Sequence, residues 1–144
     1  MAVTRERLLE TLENGWGQYL STYDALAPKV QVEYLNRQGY ARFADVLAHV
    51  IAWWRDGLTA VEALTVDPEY RAPSRDVDSF NAQAVADFKD MDEAAVRQAF
   101  DDTRRQLIDL VTKMPNTDDA PDEIVARLNI EIVGHLHEHS LADY

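Results

Sequence analysis

Apolar residues recur along this chain at spacings of three and four, and runs alternating with period two are almost absent. That pattern belongs to helices with one buried face, so the chain reads as all-α. Thr4 is placed to cap a first helix whose stripe is Leu8, Leu9, Leu12, Trp16, Tyr19, Leu20 and Tyr23, ending before Pro28. The segment from Ala27 to Tyr40 has mixed character and reads as a connection. A second helix, about Ala41 to Leu64, turns Phe43, Val46, Leu47, Val50, Ile51, Trp54, Leu58 and Val61 inward.

Thr65 to Asp78 carries Pro68 and Pro73 among charges and predicts a long surface connection that crosses the molecule. Asp78 or Ser79 then caps a short helix to about Phe88. Asp90 with Glu93 makes a capping-box-like start for another helix, reaching about Lys113, with Val96, Ala99, Phe100, Thr103, Leu107, Leu110, Val111 and Met114 inward. Asn116 to Ala120 reads as a loop, and Pro121 opens a last helix that continues nearly to Tyr144. Four long helices, one short one and a connection too long for a hairpin predict a four-helix bundle. There is no internal repeat of the kind a helical array needs.

The 144 residues suit one domain, 1–144, able to bury roughly 70% of its unfolded surface. Fourteen Lys and Arg against 26 Asp and Glu leave a net charge of −12, which disfavours phosphate backbones and anionic lipid as partners. The absence of cysteine excludes disulfides, thiolate nucleophiles and sulfur-ligated metals, so any metal here takes N or O ligands. The N-terminus lacks a basic-then-apolar signal segment, and the longest apolar stretch, Val46 to Trp54, is far too short to cross a bilayer. A cytoplasmic protein is expected.

The remaining chemistry lies in four histidines: His49 in the second helix, and His135, His137 and His139 in the last. At about 100° per residue, His135 and His139 stand one turn apart on one face, while His137 projects from the opposite side. His49 shares a row with Asp45, Trp53 and Asp56 at the flank of the second helix's stripe. Two imidazoles one turn apart can bind a single divalent ion. A third from another helix makes a three-nitrogen site with an open position for water or substrate. The bland alternative is that the pair is a packed, hydrogen-bonded feature of the core edge. Trp53 is the tryptophan assigned to ligand contact; Trp54 sits in the stripe and reads as core. Glu131 and Asp45, each one turn before a histidine, are candidate carboxylates to orient the imidazoles, or else solvated charges. Glu138, Asp101-Asp102 and Asp118-Asp119 read as surface charge. No Gly-rich phosphate loop, GxSxG elbow or Ser/His/Asp arrangement is present.

The segment DVLAHVIAWWRDGL, Asp45 to Leu58, resembles the second helix of the DinB-like family of four-helix bundles, and HLHEH near the C-terminus resembles that family's HxxxH. The resemblance places metal ligands at His49, His135 and His139; His137 has no counterpart. DVDSFNAQAVADFKDMDEAAVRQAFDDTRRQLIDLV, Asp76 to Val111, resembles the ClbS/DfsB branch, which carries an Asn in a short helix, here Asn81. The likeness implies an up-down-down-up bundle with a long crossover, and homodimers are common among relatives. Those relatives include metal-dependent, thiol-cofactor-using transferases or isomerases, and the branch takes its name from a self-resistance protein that hydrolyses a cyclopropane in a genotoxin. The expectation is one divalent ion, Zn²⁺ or Ni²⁺, in a hydrolase or transferase acting on a small molecule, with Trp53 and Asn81 beside the substrate. The alternatives are a metal-free ClbS/DfsB-like protein that binds a small molecule, and a dimeric interaction module.

Overall fold

The structure, a computed structural model, describes residues 3–115 and 119–144, and these form an all-helical domain. Helix α1 comprises Arg5–Glu10 and Trp16–Ala25, joined by a π-helical turn, Thr11–Gly15. It is followed by α2 (Pro28–Gln38), α3 (Phe43–Val66), α4 (Val77–Phe88) and α5 (Glu93–Lys113). The last helix, α6, comprises Asp122–Leu128, a second π-helical turn, Asn129–Gly134, and His135–Glu138.

Local chemistry explains most of these limits. The Thr4 hydroxyl accepts from the Arg7 N–H and caps α1. At the start of α5 the cap is Asp92, which accepts from the Ala95 N–H; the predicted cap at Asp90 lies two residues too early. The expected connection Ala27 to Tyr40 is largely helix. Pro28 opens α2 at a position that needs no N–H donor, and Gly39, with φ +83°, closes it in the left-handed conformation. Among the described residues there are therefore two shorter helices beside the four long ones, where one was expected. The predicted end of the last helix is also corrected: α6 stops at Glu138, and the chain turns so that Tyr144 packs edge-on against Tyr34 with ring centroids 5.5 Å apart. Part of the expected loop Asn116 to Ala120, and with it Asp118, lies outside the described residues.

The core gathers on α3, whose buried face includes every inward residue predicted for it. Trp16 of α1, Trp54 of α3 and Phe100 of α5 meet at centroid distances of 5.0 to 5.7 Å. Each tryptophan removes about 150–250 Å² from water, about 4–6 kcal/mol of hydrophobic stabilisation before entropy is counted. Both indoles carry an N–H that burial obliges to find a partner. Trp16 Nε1 donates to the Ile132 carbonyl at 3.1 Å and Trp54 Nε1 to the Glu131 carbonyl at 2.7 Å. Both carbonyls belong to the π-helical turn of α6, where the wider winding loosens the usual i−4 pairing and leaves oxygens accessible to side chains. The tryptophans of the core thus hold the turn immediately before His135.

Candidate metal centre

His49, on the second turn of α3, faces the end of α6 that carries His135 and His139. The ring centroids lie 5.3 Å apart for His49 and His135, 5.2 Å for His49 and His139, and 5.9 Å for His135 and His139. All three are buried, whereas His137 is exposed.

The partners of these rings fix their tautomers. Nδ1 of His49 lies 2.8 Å from Oδ1 of Asn81, and Trp53 Nε1, which can only donate, reaches the same oxygen at 2.7 Å. That atom is an acceptor, so His49 carries its proton on Nδ1. His135 Nδ1 lies 3.1 Å from the Glu131 carbonyl, which can only accept. His139 Nδ1 lies 2.7 Å from Oε1 of Gln38, whose amide nitrogen is turned toward the Glu138 carbonyl at 3.5 Å. Each ring therefore donates through Nδ1 to a protein oxygen and keeps its Nε2 lone pair. The Nε2 of His139 is buried without a hydrogen-bond partner.

Electrostatics keep the cluster neutral. Burial, followed by the neighbouring rings, holds His49 down at about 4 and His139 at about 3, and burial also lowers His135. Below the rings, Glu131 is buried against Gly57, where a Cβ would meet its Cγ at 3.1 Å. Burial raises its carboxyl to about 8 despite Arg127. Arg127 bonds Asp56 at 2.8 Å and reaches Glu131 only at 3.8 Å, so Asp56 holds most of its charge.

Aromatic and charged side chains gather around Asn81, the partner of His49. Trp53 packs on Phe80 at 4.2 Å, Arg75 lies over Phe80, and Asp56 bonds both Arg75 and Arg127. Asn81 spends its oxygen on His49 and Trp53, which leaves its NH₂ group as the part able to face a ligand. Asp45 does not orient His49; it pairs with Arg42 at the start of α3, closing a capping box. Glu131 does serve His135, but through its backbone carbonyl and not its carboxylate. Gln38, Tyr34 and Tyr40, whose ring lies 5.8 Å from His49, escaped the sequence reading because they sit in or just beyond the unrecognised α2. A groove of about 1080 Å³ lies elsewhere, along the far half of α3 beside Leu58, Val61, Leu110 and Ile124, and includes none of the histidines.

Comparison with protein-family models, curated proteins and solved structures finds no match. The case for a metal rests on the site itself. Among the described residues, no group of three or more His, Cys, Asp or Glu forms a ready-made metal-holding set. What can be compared is the spacing of the three rings. Three imidazoles bound through one nitrogen each at 2.0–2.1 Å to a tetrahedral ion place their ring centroids about 5 Å apart, close to the spacing observed. Protonation at Nδ1 with an oxygen acceptor is the arrangement that metal-ligating histidines adopt.

Proposed function

We propose that this chain is a DinB-like divalent-metal protein that holds one ion on His49, His135 and His139 and acts on a small molecule as a hydrolase or transferase. The observation that carries the reading is the trio of neutral rings, each tied through Nδ1 to an oxygen, with the His139 Nε2 buried and unpartnered. Zn²⁺ and Ni²⁺ suit imidazole donors.

The up-down-down-up topology of the family is supported by which residues meet. Arg42 reaches the Met91 carbonyl and Trp54 stacks on Phe100, so numbers rise together along α3 and α5. Arg5 reaches the Met114 carbonyl and Asp24 pairs with Arg97, so they run oppositely along α1 and α5. His49 meets His139 while Asp56 meets Arg127, so α3 and α6 are also opposed.

A divalent ion, when bound, would supply Lewis-acid chemistry. The three imidazoles would hold it, and Asn81, the Glu131 carbonyl and Gln38 orient them through Nδ1. Trp53 and Phe80 pack together beside Asn81, whose amide N–H₂ is available to a polar group of the substrate. Elemental analysis of untagged protein should find near-stoichiometric Zn²⁺ or Ni²⁺, and His135→Ala should abolish it. Protein that arrives metal-free and takes up neither ion at neutral pH would sink the reading.

The second reading is a metal-free ClbS/DfsB-like protein that binds a small molecule, with Asn81, beside Trp53 and His49, as a hydrogen-bonding group. Under it, saturable ligand binding is indifferent to chelator.

A further inference from the structure

We infer that Gln38 is the positioning residue of the third ligand, and that α2 exists at this end of the molecule to hold His139 for a metal. The inference rests on the metal reading and adds to it the part played by a helix outside the histidine-bearing elements.

His139 is the residue at which α6 ends, with φ −99° and ψ 17°, and a helix terminus without outside contacts frays. Two side chains of α2, one turn apart, prevent this. The Tyr34 hydroxyl donates to the His139 carbonyl at 2.8 Å and stands 2.6 Å from the Tyr19 hydroxyl of α1, which completes its bonding. The Gln38 carboxamide takes the ring, its Oε1 2.7 Å from Nδ1. The backbone of His139 is thus fixed by Tyr34 and the direction of its lone pair by Gln38. Because His139 is buried, with 4% of the residue exposed, water has little access to replace Oε1 as acceptor. A side chain at position 38 that accepts no hydrogen bond leaves Nδ1–H buried and unsatisfied, and the ring relieves this by turning, or by moving its proton to Nε2 and donating it to the lone pair of the neighbouring His49 ring, whose centroid lies 5.2 Å away. Either response removes the lone pair from the site. The Gln38 amide nitrogen contributes less: its contact with the Glu138 carbonyl is at 3.5 Å, at the limit of a hydrogen bond. What position 38 needs is an acceptor oxygen.

The test compares wild type, Gln38→Leu and Gln38→Glu by two measurements. The first is the ¹⁵N spectrum of the imidazoles in metal-free protein at pH 7.5, which reads the tautomer of His139 directly. Wild type and Gln38→Glu should show the proton on Nδ1, and Gln38→Leu should show it shifted wholly or partly to Nε2. The second is Zn²⁺ affinity by competition with a chromophoric chelator. Gln38→Leu should weaken binding about 10- to 100-fold, the usual effect of losing a partner behind a ligand, and Gln38→Glu should restore it to within about threefold. An unchanged His139 tautomer in folded Gln38→Leu overturns the inference, as does an affinity within threefold of wild type. If wild type binds no Zn²⁺ at all, the metal reading fails by itself, and the spectrum still decides whether Gln38 sets the ring.

Discussion

The carbonyl of Glu131 accepts from Trp54 Nε1 at 2.7 Å and from the side chain of His135 at 3.1 Å, so one backbone oxygen in the π-helical turn joins the aromatic core to the candidate site. Trp54→Phe removes the first donor and leaves a space beside Phe100. Loss of the hydrogen bond costs about 1 kcal/mol, and the smaller ring adds about 1–2 kcal/mol more. A total of about 2–3 kcal/mol is expected from urea denaturation, with circular dichroism unchanged in the folded baseline. A variant as stable as wild type would show that the turn does not depend on this contact.

Two glycines in long helices, exposed Gly17 and buried Gly57, should respond in opposite directions to alanine. At Gly17 a Cβ meets nothing within 4 Å, so Gly17→Ala gains only helix propensity and should stabilise by up to about 1 kcal/mol. At Gly57 the same atom meets Glu131 Cγ at 3.1 Å and Oε2 at 3.4 Å, and Glu131 is buried with little room to retreat. Gly57→Ala should therefore destabilise by about 1–2 kcal/mol net of its propensity gain. Melting temperatures of the pair provide the check, and a stabilised Gly57→Ala would mean that Glu131 is free to move.

Much of this architecture is legible in the chain, and the gaps have physical causes. The α3 stripe is wide and unbroken, so its buried face could be read residue by residue. In α2 the stripe is thin, Tyr34 and Leu35 among charged neighbours, and the segment reads as a connection although its brackets, Pro28 at the first position and Gly39 just past the end, signal a helix. The π-helical turns at Thr11–Gly15 and Asn129–Gly134 are invisible to a pattern of constant period 3.6, which leaves the phase of His135 only approximate. Spacing suggested that three imidazoles approach one another, but their acceptors Asn81 and Gln38 are 32 and 101 residues distant from the rings they hold, and nothing local signals such pairs.

If the three buried rings bind an ion, stability must report it. An ion bound only by the folded state raises stability by about 2.7 kcal/mol at a concentration 100 times its Kd. Added Zn²⁺ or Ni²⁺ should raise the Tm of wild type and of His137→Ala, whose ring is exposed, and should leave the Tm of His139→Ala unmoved. Equal responses in all three proteins would mean that the ions bind elsewhere.

The same burial makes the metal-free protein sensitive to pH from both sides. From an ordinary 6.5, His49 is held down at about 4 and His139 at about 3 by burial and by neighbouring imidazoles, and His135 is lowered in the same direction. Between those values and 6.5 the unfolded chain binds protons that the folded chain refuses, so stability falls as pH drops through this window. Glu131 acts in the opposite sense. Burial raises its carboxyl from 4.5 to about 8, so the unfolded chain loses a proton that the folded chain keeps, and stability falls as pH rises toward 8. Where the windows overlap, several rings oppose one carboxyl and the rings prevail, which places the maximum of these combined contributions near about pH 6.5. Stabilities from urea denaturation in the presence of chelator should decline on both sides of that value. Toward pH 4 the loss should total several kcal/mol, because each tenfold difference in proton affinity between the unfolded and folded chain is worth about 1.4 kcal/mol. In Glu131→Gln, which keeps the shape and loses the titration, the decline between pH 6.5 and 8 should vanish while the acid limb remains. A persistent alkaline decline in that variant would assign the effect to another group.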